Sequence, residues 1–460
     1  MLPVWMALAL TGAFAGRPRL FGQNAAFSAE DQQNFRTAME AVNRGDAATA
    51  QPLLIELRTR HADNFEINES LGLIYAAESN LPAALPLMAA AVDERPDSEA
   101  ASVNLGVACL RLGKNDDAAR ALEHAVRLTP QDARAQAALG EAWMQLKQPA
   151  RAAVAFEHAL DAAGDSATLL YNAALADFDS GEAGKAAPLL ARMPGVETSA
   201  TAQSLYGDVD EKLGRYKEAG QHYINAARLD PTEANEYVLG VEFLRHWTFQ
   251  PAAREFAAAS QRFPESRRLR VGLGVASFGD HNYKQAIAVF SALLAEDPDN
   301  ARYAELLGRS CSVLTEGSDP NCMSLLAFAQ KHPEQGTIAT DAAISLLNQP
   351  GDPAHLTNAE RLLQAALRAA PDLPEAHYEM GILLQRESRW KDSIPELEEA
   401  IRLKPDDAAA HYRLALALQR TGQRDKARAE IGLQQKYSAQ ENRERDQRLS
   451  QMQTLLVTMQ

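Results

Sequence analysis

Residues 99–132 read EAASVNLGVACLRLGKNDDAARALEHAVRLTPQD. Leu105, Cys109 and Leu110 are spaced as one face of a helix, and Ala118, Leu122 and Ala125 as the face of a second. Between them Gly113-Lys114-Asn115-Asp116 makes a turn in which Gly113 supplies the permissive backbone. Pro130 stops the second helix, because proline lacks an N–H and restricts the residue before it. Gly106 and Ala118 fall where the paired helices cross most closely, and a larger side chain there would force the axes apart.

The same frame recurs along the chain. Gly72, Gly106, Gly140, Ala174, Gly207, Gly240, Gly274 and Gly308 follow one another at 33 or 34 residues, and Gly381 and Ala415 resume the ladder. Ala84, Ala118, Ala152, Ala186, Ala219, Ala252 and Ala286 keep the beat twelve residues later, and Pro96, Pro130, Pro231, Pro264, Pro298, Pro371 and Pro405 close units. Tyr75, Trp143, Tyr223, Phe256, Phe290 and Leu397 are the large residues expected to fill the gaps between units. This period predicts an all-α solenoid of about twelve helix-turn-helix units, starting near 31, 65, 99, 133, 167, 200, 233, 267, 301, 337, 374 and 408.

Composition narrows the role. Of the 460 residues, 46% are hydrophobic but only 6% aromatic, as in stacked thin helices rather than a compact enzyme core. The net charge of −15 argues against nucleic-acid binding, which needs a basic surface to displace counterions. Cys109, Cys311 and Cys322 lack paired metal or redox spacing. Cys311 and Cys322 are expected as two buried thiols serving as small core residues, with a disulfide across the irregular turn as the alternative.

The first fifteen residues, MLPVWMALALTGAFA, form a short apolar run ending in the small-x-small pattern Ala13-Phe14-Ala15. This reads as a signal peptide, with a second possible cleavage point after Ala25-Ala26. Export predicts a periplasmic or secreted chain with no transmembrane segment once mature; the absence of a basic residue before the run keeps a cytoplasmic location as the alternative.

The pattern resembles the tetratricopeptide repeat of bacterial proteins. Residues 65–98 carry its signature in Leu71, Gly72, Tyr75, Ala84, Ala91 and Pro96, and GRYKEA (214–219), HNYKQA (281–286) and SRWKDS (388–393) match its turn. The resemblance covers about residues 31–434 and implies a right-handed superhelix. The expected organisation is a signal peptide (1–15), a linker (16–30), about nine units (31–334), about three more after an irregular break (335–434) and a C-terminal capping helix (435–460). The strings TEGSDPNC and NQPGDPAHL mark the break, and Leu449, Met452, Leu455 and Leu456 the stripe the cap would bury.

No catalytic constellation, cofactor motif or metal-ligand spacing appears. VGLGVASFG (271–279) lacks the third glycine of a dinucleotide loop and falls on a first helix, and the ten histidines are scattered. Asn68-Glu69-Ser70 is a formal glycosylation sequon inside a helix. The resemblance implies that ligands lie in a concave groove lined by first helices. Its slots carry Glu69, Arg111, Glu141, Tyr171, Asn172, Asp179, Asp208 and Glu211 toward the N-terminus. Toward the C-terminus they carry Tyr237, Arg245, Arg302, Arg309, Tyr378, Arg386, Tyr412, Arg413 and Arg420. The first group is mostly acidic and the second mostly basic, interrupted by Arg111, Arg134 and Lys212 in one and Glu305, Glu375 and Glu379 in the other. The carboxylate clamp of chaperone-binding members is not expected, since Asn104 and Asn172 are two units apart and the lysine slots hold Glu69 and Val103. The expectation is a non-enzymatic scaffold that binds an extended peptide or partner protein in the cell envelope. The alternative is an accessory factor in envelope assembly or polysaccharide export that binds glycan or recruits machinery.

Overall fold

The structure, a computed structural model, describes residues 27–314, 319–349 and 353–458, with side chains described as far as 441 and at 443. The apolar N-terminal run and both of its cleavage points lie outside these residues. Among the described residues the chain is 24 α-helices and two 3-10 turns, without a strand. The chain divides into two bodies, residues 1–222 and 223–460.

In the first body, helices alternate as the sequence pattern requires: Phe65–Ala77 with Leu81–Glu94, Glu99–Arg111 with Asn115–Leu128, Ala133–Gln145 with Pro149–Ala163. First helices begin where a short polar side chain caps them. Asn64, Ser98, Asp132, Ser166 and Ser199 each accept a hydrogen bond from the backbone N–H three residues on, a cap whose removal costs about 1 kcal/mol. The small slots are closed by large residues of the second helix. A Cβ added at Gly106 would stand 2.5 Å from Leu122 Cγ, and one at Gly140 would stand 2.7 Å from the Phe156 ring.

The second body repeats the device. A Cβ on Gly240 or on Gly272 would come within 2.5 Å of Phe256, so this ring fills the gap between its own unit and the next. Both glycines of VGLGVASFG therefore serve packing or lie beside it, on the helix Arg267–Gly279. The interhelical turns need a left-handed residue. Gly45, Gly113, Gly181, Gly214 and Gly422 supply it, but Ser79, Lys147, Trp247, His281 and Ser388 adopt the same positive φ without being glycine.

One unit departs from the pattern. After Ala301–Ser312 the chain makes a 3-10 turn at Pro320–Cys322 and then only the short helix Met323–Lys331. Cys311 and Cys322 are joined by a disulfide with their Cα atoms 6.0 Å apart, which corrects the expectation of two free thiols. The reason is the path of the turn: it brings the start of the next element back onto the end of the preceding helix, a proximity invisible in a spacing of 11 residues. Cys109 is the free, buried cysteine, its thiol pushed up to about 11 by burial above all. The last pair ends in Arg424–Thr458, one continuous helix of 35 residues that includes the stretch expected to cap the array. The side chains of Leu449, Met452, Leu455 and Leu456 lie outside the described ones.

Candidate functional face of the first helices

Within each body, first helices of neighbouring units lie against one another, so their outward polar side chains form continuous strips. In the first body, Asn104 donates to Glu69 Oε1 at 2.8 Å and accepts from Arg134 at 3.3 Å, linking three successive first helices. Asn104 is thus engaged laterally with a carboxylate and a guanidinium. Burial raises the Glu69 carboxyl, opposed by Asn104 and Arg95. Glu141, one unit on, is pushed up to about 7 by burial with no cation beside it.

Tyr171 and Asn172 are half-buried on Ala167–Asp179. Burial, then the charges of Asp208 and Asp179, raise the Tyr171 phenol, which places these three residues in one cluster. Burial alone raises Asp179. This strip is acidic and weakly compensated.

The second body is paired throughout. Arg245 bonds Glu242 at 2.8 Å, Arg309 bonds Glu305 at 2.7 Å, and Arg302 shares that carboxylate at 3.3 Å. Tyr237 lies under the Arg268 guanidinium, 4.5 Å from its ring centroid, and Arg420 lies 5.4 Å over Trp390. Arg386 donates to the Leu347 carbonyl. Tyr378 is raised by burial, while a hydrogen bond from Arg413 opposes the shift. Glu379 is pushed up to about 7 by burial, against the pull of Arg386 and Arg413. Tyr378, Glu379, Arg386 and Arg413 therefore form one group. Tyr412 beside them is 55% exposed. Arg302, Arg309 and Asp341 form a second group through Glu305, whereas Tyr237, Arg245 and Arg420 are held by local partners.

Asp341 was not among the residues marked by the sequence. It sits on Gly336–Leu347, where a Cβ on Gly308 would stand 2.9 Å from its Oδ2. Burial pushes it up to about 6, with Arg309 and Ser312 opposing and Glu305 and Glu375 reinforcing. The available signal was a lone carboxylate in the apolar string GTIATDAAISLL. Asn68, the formal sequon residue, is fully buried and bonded to the Ala62 carbonyl and Glu94.

Fold and face together define an α-solenoid of helix-turn-helix repeats with a polar, aromatic-bearing strip on its first helices. Tetratricopeptide repeat models match residues 35–99, 75–142 and 248–309, and a TPR repeat model matches residues 386–422. The chain belongs to the tetratricopeptide repeat family, and its broad class is that of a protein–protein interaction scaffold. Similar solved structures include YrrB, described as a TPR protein with an unusual peptide-binding site, at 19% identity and TM-score 0.35 over 40% of this chain and 95% of that one. Pseudomonas aeruginosa pilF is similar at 18% identity and TM-score 0.35 over 45% and 94% of the two chains. MamA is similar at 18% identity and TM-score 0.33 over 41% and 95%. No curated protein matches in sequence. Among the described residues no helix is long and apolar enough to cross a membrane.

Proposed function

We propose that the chain binds an extended peptide or a partner protein along the strip of its first helices, without catalysing a reaction, in the cell envelope. The observation that carries this reading is the group around Tyr412. An exposed tyrosine stands next to Arg413, Tyr378 and Arg386, and tyrosine and arginine are the residues on which interface energy concentrates. The polar atoms of that group are already oriented by one another, so little side-chain freedom is lost on binding. The Cys311–Cys322 disulfide supports an oxidising compartment, as does the apolar N-terminal run.

Cross-linking in the source cells followed by mass spectrometry tests this directly: a recurrent protein partner is expected. With that partner in hand, Tyr412→Ala should weaken binding by roughly tenfold or more, the range of an interface hot spot. Arg368→Glu, on the second helix Pro353–Ala369, should leave it within about twofold. Equal losses from both would remove the partner from this strip, and turnover of a substrate by the pure protein would overturn the non-enzymatic reading.

A further inference from the structure

The fourth residue of many first helices does a job that the repeat signature does not record. Its side chain reaches back to a carbonyl at the end of the preceding unit. Asn68 donates to Ala62 O at 2.6 Å, Gln136 to Pro130 O at 2.9 Å and Gln203 to Val196 O at 3.1 Å. In the last two units the same position is histidine. His377 Nε2 lies 3.0 Å from Pro371 O, and His411 Nε2 lies 3.0 Å from Pro405 O.

The histidines differ from the amides in what their other nitrogen meets. His377 Nδ1 is 2.7 Å from Glu396 Oε2, and His411 Nδ1 is 2.6 Å from Glu430 Oε2. Carbonyl and carboxylate oxygens are both acceptors, and a neutral imidazole has a single N–H to donate. Each site therefore needs one proton more than a neutral ring and an ionised carboxylate supply together. Without it, two lone pairs face each other or the carbonyl loses its donor, and an unmet buried acceptor is costly. Both rings are shielded, with side-chain exposures of 14% and 3%.

The surroundings are simple. Against His377 stand Glu396 and Glu399 of Trp390–Leu403, the latter bonded to Arg402, together with the Pro371 carbonyl that follows Pro353–Ala369. Against His411 stand Glu430 and the stacked Tyr437 ring, 5.4 Å away, with the Lys436 ammonium over the far ring. Lys404, next to Pro405, is paired with Asp407.

We propose that His377–Glu396 and His411–Glu430 form a proton-dependent latch on the last two units, closed while each pair holds its extra proton and loosened as pH rises through the range in which histidine titrates. The folded units bind that proton through two hydrogen bonds that the unfolded chain lacks. Folding is thus linked to proton uptake, and the stability of these units falls as pH rises. The latched helices Pro374–Arg386 and Ala408–Arg420 also carry Tyr378, Arg386, Tyr412, Arg413 and Arg420. On the reading proposed above, the latch would set how firmly the binding residues are held. The latch itself needs no ligand for its test.

Hydrogen exchange on the full chain, corrected for the intrinsic rate, reads it locally. Between about pH 6 and about pH 8, protection over residues 374–434 should fall about tenfold, the equivalent of one weakened charge-assisted bond. The His377→Gln/His411→Gln variant should keep its protection at both values, because Gln136 makes the same carbonyl bond in its own unit without a titrating group. The Glu396→Gln/Glu430→Gln variant should also be flat, since an amide can donate to a neutral Nδ1. It serves as the test if the histidine variant fails to fold. A wild-type chain with no local loss, or a loss that persists in the folded variants, overturns the latch. So does nitrogen NMR showing a single ring N–H on each histidine together with an ionised carboxylate partner at about pH 6.

Discussion

The unit Glu99–Leu128 and the unit that begins at Ala301 fill the same small slot in different ways. In the first, Gly106 receives Leu122 from its own second helix. In the other, the second helix is delayed and shortened to Met323–Lys331, and Gly308 instead receives Asp341 from the first helix that follows. A disulfide then ties the end of the first helix to the displaced turn. The small residue therefore specifies a close approach but not its occupant. When the usual partner is out of place, a neighbouring helix moves in and takes a carboxylate into a poorly hydrated site.

Three experiments would break or sharpen this contrast. The largest effect is expected from Gly106→Leu, whose Cβ already has nowhere to go. Chemical denaturation should show a loss of roughly 3 kcal/mol or more, since overpacking forces side chains off their rotamers. A tolerated leucine would mean that Leu122 can move aside and that the slot is not specified after all.

Next comes the irregular unit. Cys311→Ala/Cys322→Ala should destabilise it by about 2–3 kcal/mol, chiefly by releasing a short loop in the unfolded chain. Melting with and without reductant gives the same comparison in the native sequence. Mass spectrometry of the unreduced, unfolded chain should find one reactive thiol, Cys109; three would show the bridge to be absent.

The smallest effect concerns Asp341. Its folded-state value of about 6 lies above the ordinary 3.8. The folded chain therefore holds that proton more tightly, and the stability this contributes is present at low pH and lost as pH rises toward about 6. Asp341→Asn should remove that slope and gain roughly 1 kcal/mol at neutral pH, allowing for the compensation from Arg309 and Ser312. An unchanged slope would mean that the carboxylate is hydrated and that its place beside Gly308 carries no electrostatic cost.

Much of this architecture was legible because a repeat states each rule many times. The first helices begin at Phe65, Glu99, Ala133, Ala167 and Ala200, where the ladder of small residues places them. The face was less legible. Tyr378 and Arg413 were both marked as groove residues, but nothing in their spacing says that they bond each other across units. The arginines read as a basic stretch are held by Glu242, Glu305 and a main-chain carbonyl. Asp341 was missed because its exposure depends on a neighbouring unit being irregular. Left-handed turns at Ser79, Lys147, Trp247, His281 and Ser388 were also unmarked, since the unit on either side holds the turn whether or not glycine occupies it.

The sequence by itself determined the helices, their pairing and their period, because those rest on contacts within about 34 residues, repeated often enough for chance to be discounted. Only the tertiary structure decided which charged groups share a site, that Cys311 meets Cys322, and that His377 and His411 face two acceptors each. These facts depend on side-chain direction and on distances of a few ångströms between units. A linear pattern of small and large residues holds no information at that scale.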